Sequence, residues 1–170
     1  KRSNAALIER FQSPIVYRDS NDFKKEFKNL VDEHYNPVSV FYHYHSLVSN
    51  FWNDMQEADE VKLKSLMYVV RSILCCIWAL KDADTLPMEI NPLMKYASED
   101  VKQRIRELIA LKAVKNESYL HPMDEHLKDW IIQTKKELEK KKEEVRIRSA
   151  DIENLNNLFL KIWHENNNNR

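Results

Sequence analysis

The stretch Leu63-Lys64-Ser65-Leu66-Met67-Tyr68-Val69-Val70-Arg71-Ser72-Ile73-Leu74-Cys75-Cys76-Ile77-Trp78-Ala79-Leu80 decides the fold. On a helical wheel, Leu63, Leu66, Val69, Val70, Ile73, Leu74 and Ile77 fall on one broad face, the period of a helix with a core-facing side. The spacing predicts a helix from about Asp59 to Leu80. Its opposite face carries Lys64, Tyr68, Arg71, Cys75 and Trp78. A solvated face would show Glu, Lys and Gln throughout. This one is cationic in its first half and apolar in its second, so the apolar half asks for a cover. Three readings stand for the cationic half. Lys64 and Arg71, with the Tyr68 hydroxyl between them, suit a phosphate; they pair with acidic side chains; or they snorkel along a core-flanking helix.

The rest of the chain also reads as helix. Asn4 to Phe11 is amphipathic and looks like the tail of a helix, which Pro14 stops. The β-branched pair Ile15-Val16 with Tyr17 suggests a short extended segment near residues 14–17. Ser20 or Asn21 caps a helix to about His34, with Phe23, Phe27, Leu30 and Val31 on one face. Asn36-Pro37 is a strong start signal for a helix to about Gln56. There Val40, Phe41, Tyr44, Leu47, Val48, Phe51 and Met55 share a core face, opposite Tyr42, His45, Ser46, Ser49 and Asn53. That opposite side is polar but uncharged, as if it lined a cleft or met another domain. Asn91-Pro92 opens a short helix, Ser98 caps one to about Lys115, and His121-Pro122 begins a long one to about Arg146. Its Lys135–Glu144 half reads as a solvated extension held by pairs such as Glu137–Lys141. A last helix runs from Asp151 to Trp163. The expected class is all-α, a bundle of about six to seven helices.

Composition narrows the function classes. The 170 residues contain no glycine, against about a dozen at average usage. Glycine serves positions that need positive φ, so tight primed hairpins, phosphate-cradling loops and dinucleotide fingerprints are disfavoured. Lys+Arg and Asp+Glu both number 27, so no global basic field draws nucleic acid, although a local patch can. The apolar run Val69–Leu80 is too short to span a bilayer, and no membrane partner is expected. Cys75 and Cys76 are adjacent on a helix and point apart, which disfavours a mutual disulfide; two buried thiols suit a reducing, cytoplasmic setting. The chain starts at Lys1, inside a helical pattern and without a signal peptide. Residues 1–19 are therefore expected to be the tail of a preceding domain with a connecting segment, 20–165 a helical domain, and 166–170 a disordered tail.

Local motifs do not make an active site. Asp82-Ala83-Asp84 resembles a metal-binding pair, but it follows a helix and lies beside no glycine turn. His43 and His45 are two apart on a helix and face different ways, and His121 and His126 are no better placed. Cys75 has no neighbouring base. Helical ribonucleases of the HEPN type place a His five to seven residues after an Arg, and no Arg here has one.

Four segments in order resemble one family: Ser13-Pro14-Ile15-Val16-Tyr17-Arg18; Phe41-Tyr42-His43-Tyr44-His45-Ser46-Leu47; Lys62-Leu63-Lys64-Ser65-Leu66-Met67-Tyr68-Val69-Val70-Arg71; and Leu127-Lys128-Asp129-Trp130-Ile131 with Asn154-Leu155-Asn156-Asn157-Leu158-Phe159. They are similar to the C-terminal part of the nucleotidyltransferases of the DNA polymerase β superfamily, which include RNA-repair-associated members. The Lys-x-x-x-Tyr-x-x-Arg helix after the Tyr-His-Tyr helix is the most specific piece. The resemblance implies a parent that transfers a nucleoside monophosphate from an NTP with Mg²⁺. Its Gly-Ser turn and metal-binding acids would lie in an N-terminal catalytic domain packed in cis against this one, so the fragment would be inactive alone. It implies that Lys64, Tyr68 and Arg71 face the nucleotide cleft, with His43, Tyr42 and Ser46 on the same wall, and that the acceptor is RNA or another molecule. The alternative is a helical protein- or RNA-interaction module with no enzymatic role.

Overall fold

A computed structural model describes residues 4–15, 23–82, 84–144 and 160. Apart from Leu160, the expected last helix (151–163) lies outside the described residues, as do the tail (166–170), Ser20, Asn21 and residues 16–17 of the expected extended segment. Helix α1 (Ala5–Phe11) is capped by Asn4, whose side chain accepts from the Leu7 N–H at 3.1 Å. It packs on α2 (Phe23–His34) by stacking Phe11 on Phe27 at 3.8 Å between ring centroids. Helix α3 (Pro37–Asn53) starts where Asn36-Pro37 says it should, the Asn36 side chain accepting from the Ser39 N–H at 3.2 Å.

The next element departs from expectation. Glu60–Lys62 is a strand, β1, and α4 (Leu63–Lys81) begins only after it. A short α5 (Ile90–Leu93) runs into a 3-10 turn at Met94–Tyr96, and α6 (Glu99–Val114) follows. The second strand β2 (Leu120–Pro122) occupies what read as the start of the long helix, which as α7 spans Glu125–Glu144. The strands pair antiparallel with Val61 opposite His121, and the ladder continues through Leu63 N–H to Tyr119 O and Met123 N–H to Asp59 O. Val61 is buried between exposed Glu60 and Lys62, the period-two pattern of a strand. Asp124, one residue before α7, takes over capping by accepting from the Leu127 N–H at 2.8 Å. Two three-residue strands joined across long connections need no tight turn, so they are compatible with a glycine-free chain. The observed fold is the expected multi-helix all-α architecture, clipped by this small ladder.

Helix α4 is the centre of the core and packs most extensively on α3. Leu66, Val69, Val70, Ile73, Leu74, Cys75 and Cys76 have no exposed surface. Cys75 and Trp78, assigned to the face opposite the core, are also buried, because the chain supplies its own cover. The Trp78 indole N–H donates to the Asp84 carbonyl at 3.1 Å, and the Tyr96 ring meets the indole edge-on. By length and composition alone α4 could cross a membrane, but 61% of its apolar window is buried inside the molecule, as in a core helix. The second half of α7 is less solvated than it reads: Leu138 is buried, Lys135, Glu139 and Lys142 are half-buried, and its ion pairs include Lys141–Glu144 and Lys142–Glu139. His45, placed by the wheel on the polar side of α3, is buried with its Nε2 3.1 Å from Glu139 on α7.

Candidate functional site: the Lys64–Tyr68–Arg71 cleft

The first two turns of α4 form the floor of an open cleft of about 340 Å³, lined by Glu9, Lys64, Met67, Tyr68, Arg71, Met88, Ile90 and Lys112. The three residues singled out from the helical stripe therefore share one concave surface. Their i, i+4, i+7 spacing places them in a line along the helix. The wall opposite comes from α1, the 88–90 segment and the last turn of α6. Lys112 adds a third cation that the sequence pattern did not flag.

Each of the two stripe cations has an acidic partner. Lys64 Nζ lies 2.5 Å from Glu117, and both groups are largely exposed. The hydrogen bond between them raises the Lys64 ammonium and holds the Glu117 carboxyl below its ordinary range. Arg71 binds Glu9 of α1 at 2.5 Å, with side-chain exposures of 22% and 24%. Behind this pair, burial pushes the Tyr44 phenol far above its ordinary range, and Glu9 and Cys75 act on it in the same direction. Burial likewise pushes the Cys75 thiol up to about 12. The Arg71–Glu9 pair thus ties α1 to α4. The acid-pairing reading of the stripe holds for both cations, but Lys64 keeps its exposure to the cleft.

Tyr68 is 46% exposed. One face of its ring stacks on Phe51 of α3 at 5.3 Å with an interplanar angle of 9°. A flat, supported aromatic ring beside three cations can receive a planar group while phosphate oxygens reach the ammonium and guanidinium groups.

The weaker candidates on α3 do not join this cleft. The Tyr42 hydroxyl donates to the Lys142 carbonyl of α7 at 3.2 Å, and the Ser46 hydroxyl turns back to the Tyr42 carbonyl at 2.9 Å. His43 is exposed with its ring edge-on to Tyr44. The buried positions of α3 include Val40, Phe41, Tyr44 and Val48. Tyr42 is thereby turned toward α7 instead of the cleft.

The residues present fit a phosphate better than a divalent cation. Glu9 is the one acid lining the cleft, and Arg71 already holds it. Among the described residues no group of three or more His, Cys, Asp or Glu side chains is arranged to hold a metal. Asp82 accepts from Lys95 and Tyr96, both at 3.0 Å; the Lys95 hydrogen bond, followed by that from Tyr96, keeps its carboxyl below the ordinary range against the opposing effect of burial.

Comparison with known proteins gives this geometry a context. The chain is 32% identical over 114 residues to an uncharacterized protein, YcgL, of Bacillus subtilis (strain 168); the match takes in 66% of this chain and 44% of that relative. No solved structure matches. A sequence model of the RNA repair pathway DNA polymerase beta family matches residues 1–161, nearly the whole chain, and the chain belongs to that family.

Proposed function

We infer that these residues form the helical portion of a nucleotidyltransferase, and that the Lys64–Tyr68–Arg71 cleft is one wall of its nucleotide site. The parent would transfer a nucleoside monophosphate from an NTP with Mg²⁺ to RNA or another acceptor. The observation that carries the reading is the convergence of Lys64, Tyr68, Arg71 and Lys112 on one cleft in a chain of this family. In this role the cations neutralise phosphate charge and Tyr68 supports a planar group; neither makes or breaks a bond. The chain holds no glycine, so a glycine-containing phosphate turn, together with the metal-binding acids, would come from outside these residues, with the helical portion packed against it in cis. Two buried free thiols support a reducing, cytoplasmic setting.

The test is NTP binding by the full-length protein. Lys64→Ala and Lys112→Ala remove two cations that line the cleft and spare the Arg71–Glu9 pair. Charge-assisted hydrogen bonds contribute about 1.5–3 kcal/mol each, so each change is expected to weaken NTP binding roughly tenfold or more with unfolding unchanged. NTP affinity equal to wild type in both variants would sink the assignment of the cleft. Transfer of labelled nucleoside monophosphate by these 170 residues alone would sink the assignment of the chemistry to another part of the protein.

A further inference from the structure

The cleft that gathers Lys64, Arg71 and Lys112 already holds one anion, the Glu9 carboxylate, which lines it and binds Arg71. The two acids paired with the stripe differ in where they would go if displaced. Glu117 holds Lys64 from outside the lining, and its side chain is 74% exposed. A phosphate arriving at Lys64 would release it into water, which solvates a free carboxylate well. Glu9 has only 24% of its side chain exposed. Displaced from Arg71, it would be a carboxylate largely cut off from water, and such a group needs another donor.

That donor stands beside the pair. Tyr44 of α3 is 4% exposed, and its hydroxyl is buried with no hydrogen-bond partner among the described residues. Buried hydroxyls are ordinarily hydrogen-bonded, so one left open calls for a reason. Glu9, Arg71 and Cys75 all act electrostatically on this phenol, which puts it close to all three. Arg71 has no acceptor to offer, and the Cys75 thiol, pushed up to about 12, is neutral and a weak one. Glu9 is the strong acceptor of the three. With its carboxylate committed to Arg71, the Tyr44 hydroxyl completes no bond. Burial pushes the phenol far above its ordinary range, so it keeps its proton and remains a donor. Helix α1, which carries Glu9, packs on α3, which carries Tyr44. A change of partner therefore asks for rotation of the Glu9 side chain and no movement of a helix.

We propose that Glu9 is an internal competitor for the phosphate position on Arg71, and that it transfers to the Tyr44 hydroxyl when a phosphate arrives. The inference rests on the nucleotide-wall reading of this cleft and adds its regulation. In the free protein the guanidinium holds Glu9 and the Tyr44 hydroxyl is unpaired. In the occupied protein phosphate oxygens accept from the guanidinium, and Glu9 accepts from the Tyr44 O–H. No covalent bond changes and no proton is transferred. Tyr44 is thus a positioning residue: it touches no phosphate and acts by giving the displaced carboxylate a place to go. The exchange also moves the tie of α1 from α4 to α3, so occupancy of the cleft changes what holds α1.

The experiment titrates inorganic triphosphate into the full-length protein and its variants by calorimetry, beside urea unfolding of each. Tyr44→Phe removes the second partner of Glu9. It should weaken triphosphate binding roughly tenfold, the contribution of a hydrogen bond to a charged group, with the unfolding midpoint unchanged or raised. Glu9→Ala should bind more tightly than wild type. In the Glu9→Ala background, Tyr44→Phe should change the affinity less than about twofold, because no carboxylate is left for the hydroxyl to receive. A tyrosine with a purely structural role would give the same loss in both backgrounds, and that result overturns the proposal. So does wild-type triphosphate affinity in Tyr44→Phe. A Tyr44→Phe protein that unfolds more easily or fails to fold overturns it as well, since the hydroxyl would then be bonded in the free state. Lys64→Ala separates this proposal from the reading it rests on. If Lys64→Ala weakens triphosphate binding and Tyr44→Phe does not, the exchange alone fails. If Lys64→Ala also binds like wild type, or if wild type binds no triphosphate, the cleft assignment fails and the exchange with it.

Discussion

Removing Glu9 tests whether the Arg71 guanidinium is a structural tie, a phosphate ligand, or both. The pair is 2.5 Å apart with about a quarter of each side chain exposed. Exposed pairs contribute about 0–1 kcal/mol, whereas breaking a fully buried pair costs about 3–5 kcal/mol. Intermediate burial places the coupling at about 1–2 kcal/mol by interpolation between those limits. A double-mutant cycle over Glu9→Gln, Arg71→Met and the two together, followed by urea unfolding, isolates that coupling. The asymmetry is informative: Arg71→Met leaves Glu9 beside the buried Tyr44 phenol, so it should cost more than Glu9→Gln, which leaves an arginine that can still turn toward water. In the full-length protein Glu9→Gln should also strengthen NTP binding, since a phosphate no longer competes with a carboxylate for the guanidinium. A coupling below about 0.5 kcal/mol would refute the picture of α1 tied to α4 through this pair. Weaker NTP binding in Glu9→Gln would refute the competition.

Two further outcomes follow from buried groups. Burial lowers the His45 imidazole below its ordinary range, opposed by Glu139 and reinforced by Lys142 and Lys135. A depressed folded value means the unfolded chain takes up the proton first, so stability present above about pH 6.5 falls as pH drops toward the folded value. His45→Gln should flatten that part of the stability–pH curve measured by thermal melts, and an unchanged curve would show that His45 titrates normally. Burial pushes the Cys75 thiol up to about 12 and Cys76 well above its ordinary range. Neither should therefore react with a thiol reagent at pH 8 until the protein unfolds, and reaction at the rate of a free thiol in the native state would contradict the packing of α4.

Much was legible in the sequence because it is local. The 3.6-residue period of the 63–80 stretch, Asn36-Pro37 as a helix start, and the absence of glycine each follow from neighbours a few positions apart. They lead to an all-helical domain with α4 at its centre, and the Lys64–Tyr68–Arg71 line is a property of one helix. What the stripe meets was decided only by tertiary structure. Glu9 reaches Arg71 across 62 positions and Glu117 reaches Lys64 across 53, separations at which no periodicity carries a signal. Lys112 enters the cleft for the same reason, and Asp84 and Tyr96 cover Trp78 where the wheel left it bare. The strands at 60–62 and 120–122 were unreadable because each is too short to show its own alternation and forms only when the other lies beside it. A helix needs only its own backbone to close its hydrogen bonds; a ladder or a cleft needs the rest of the chain.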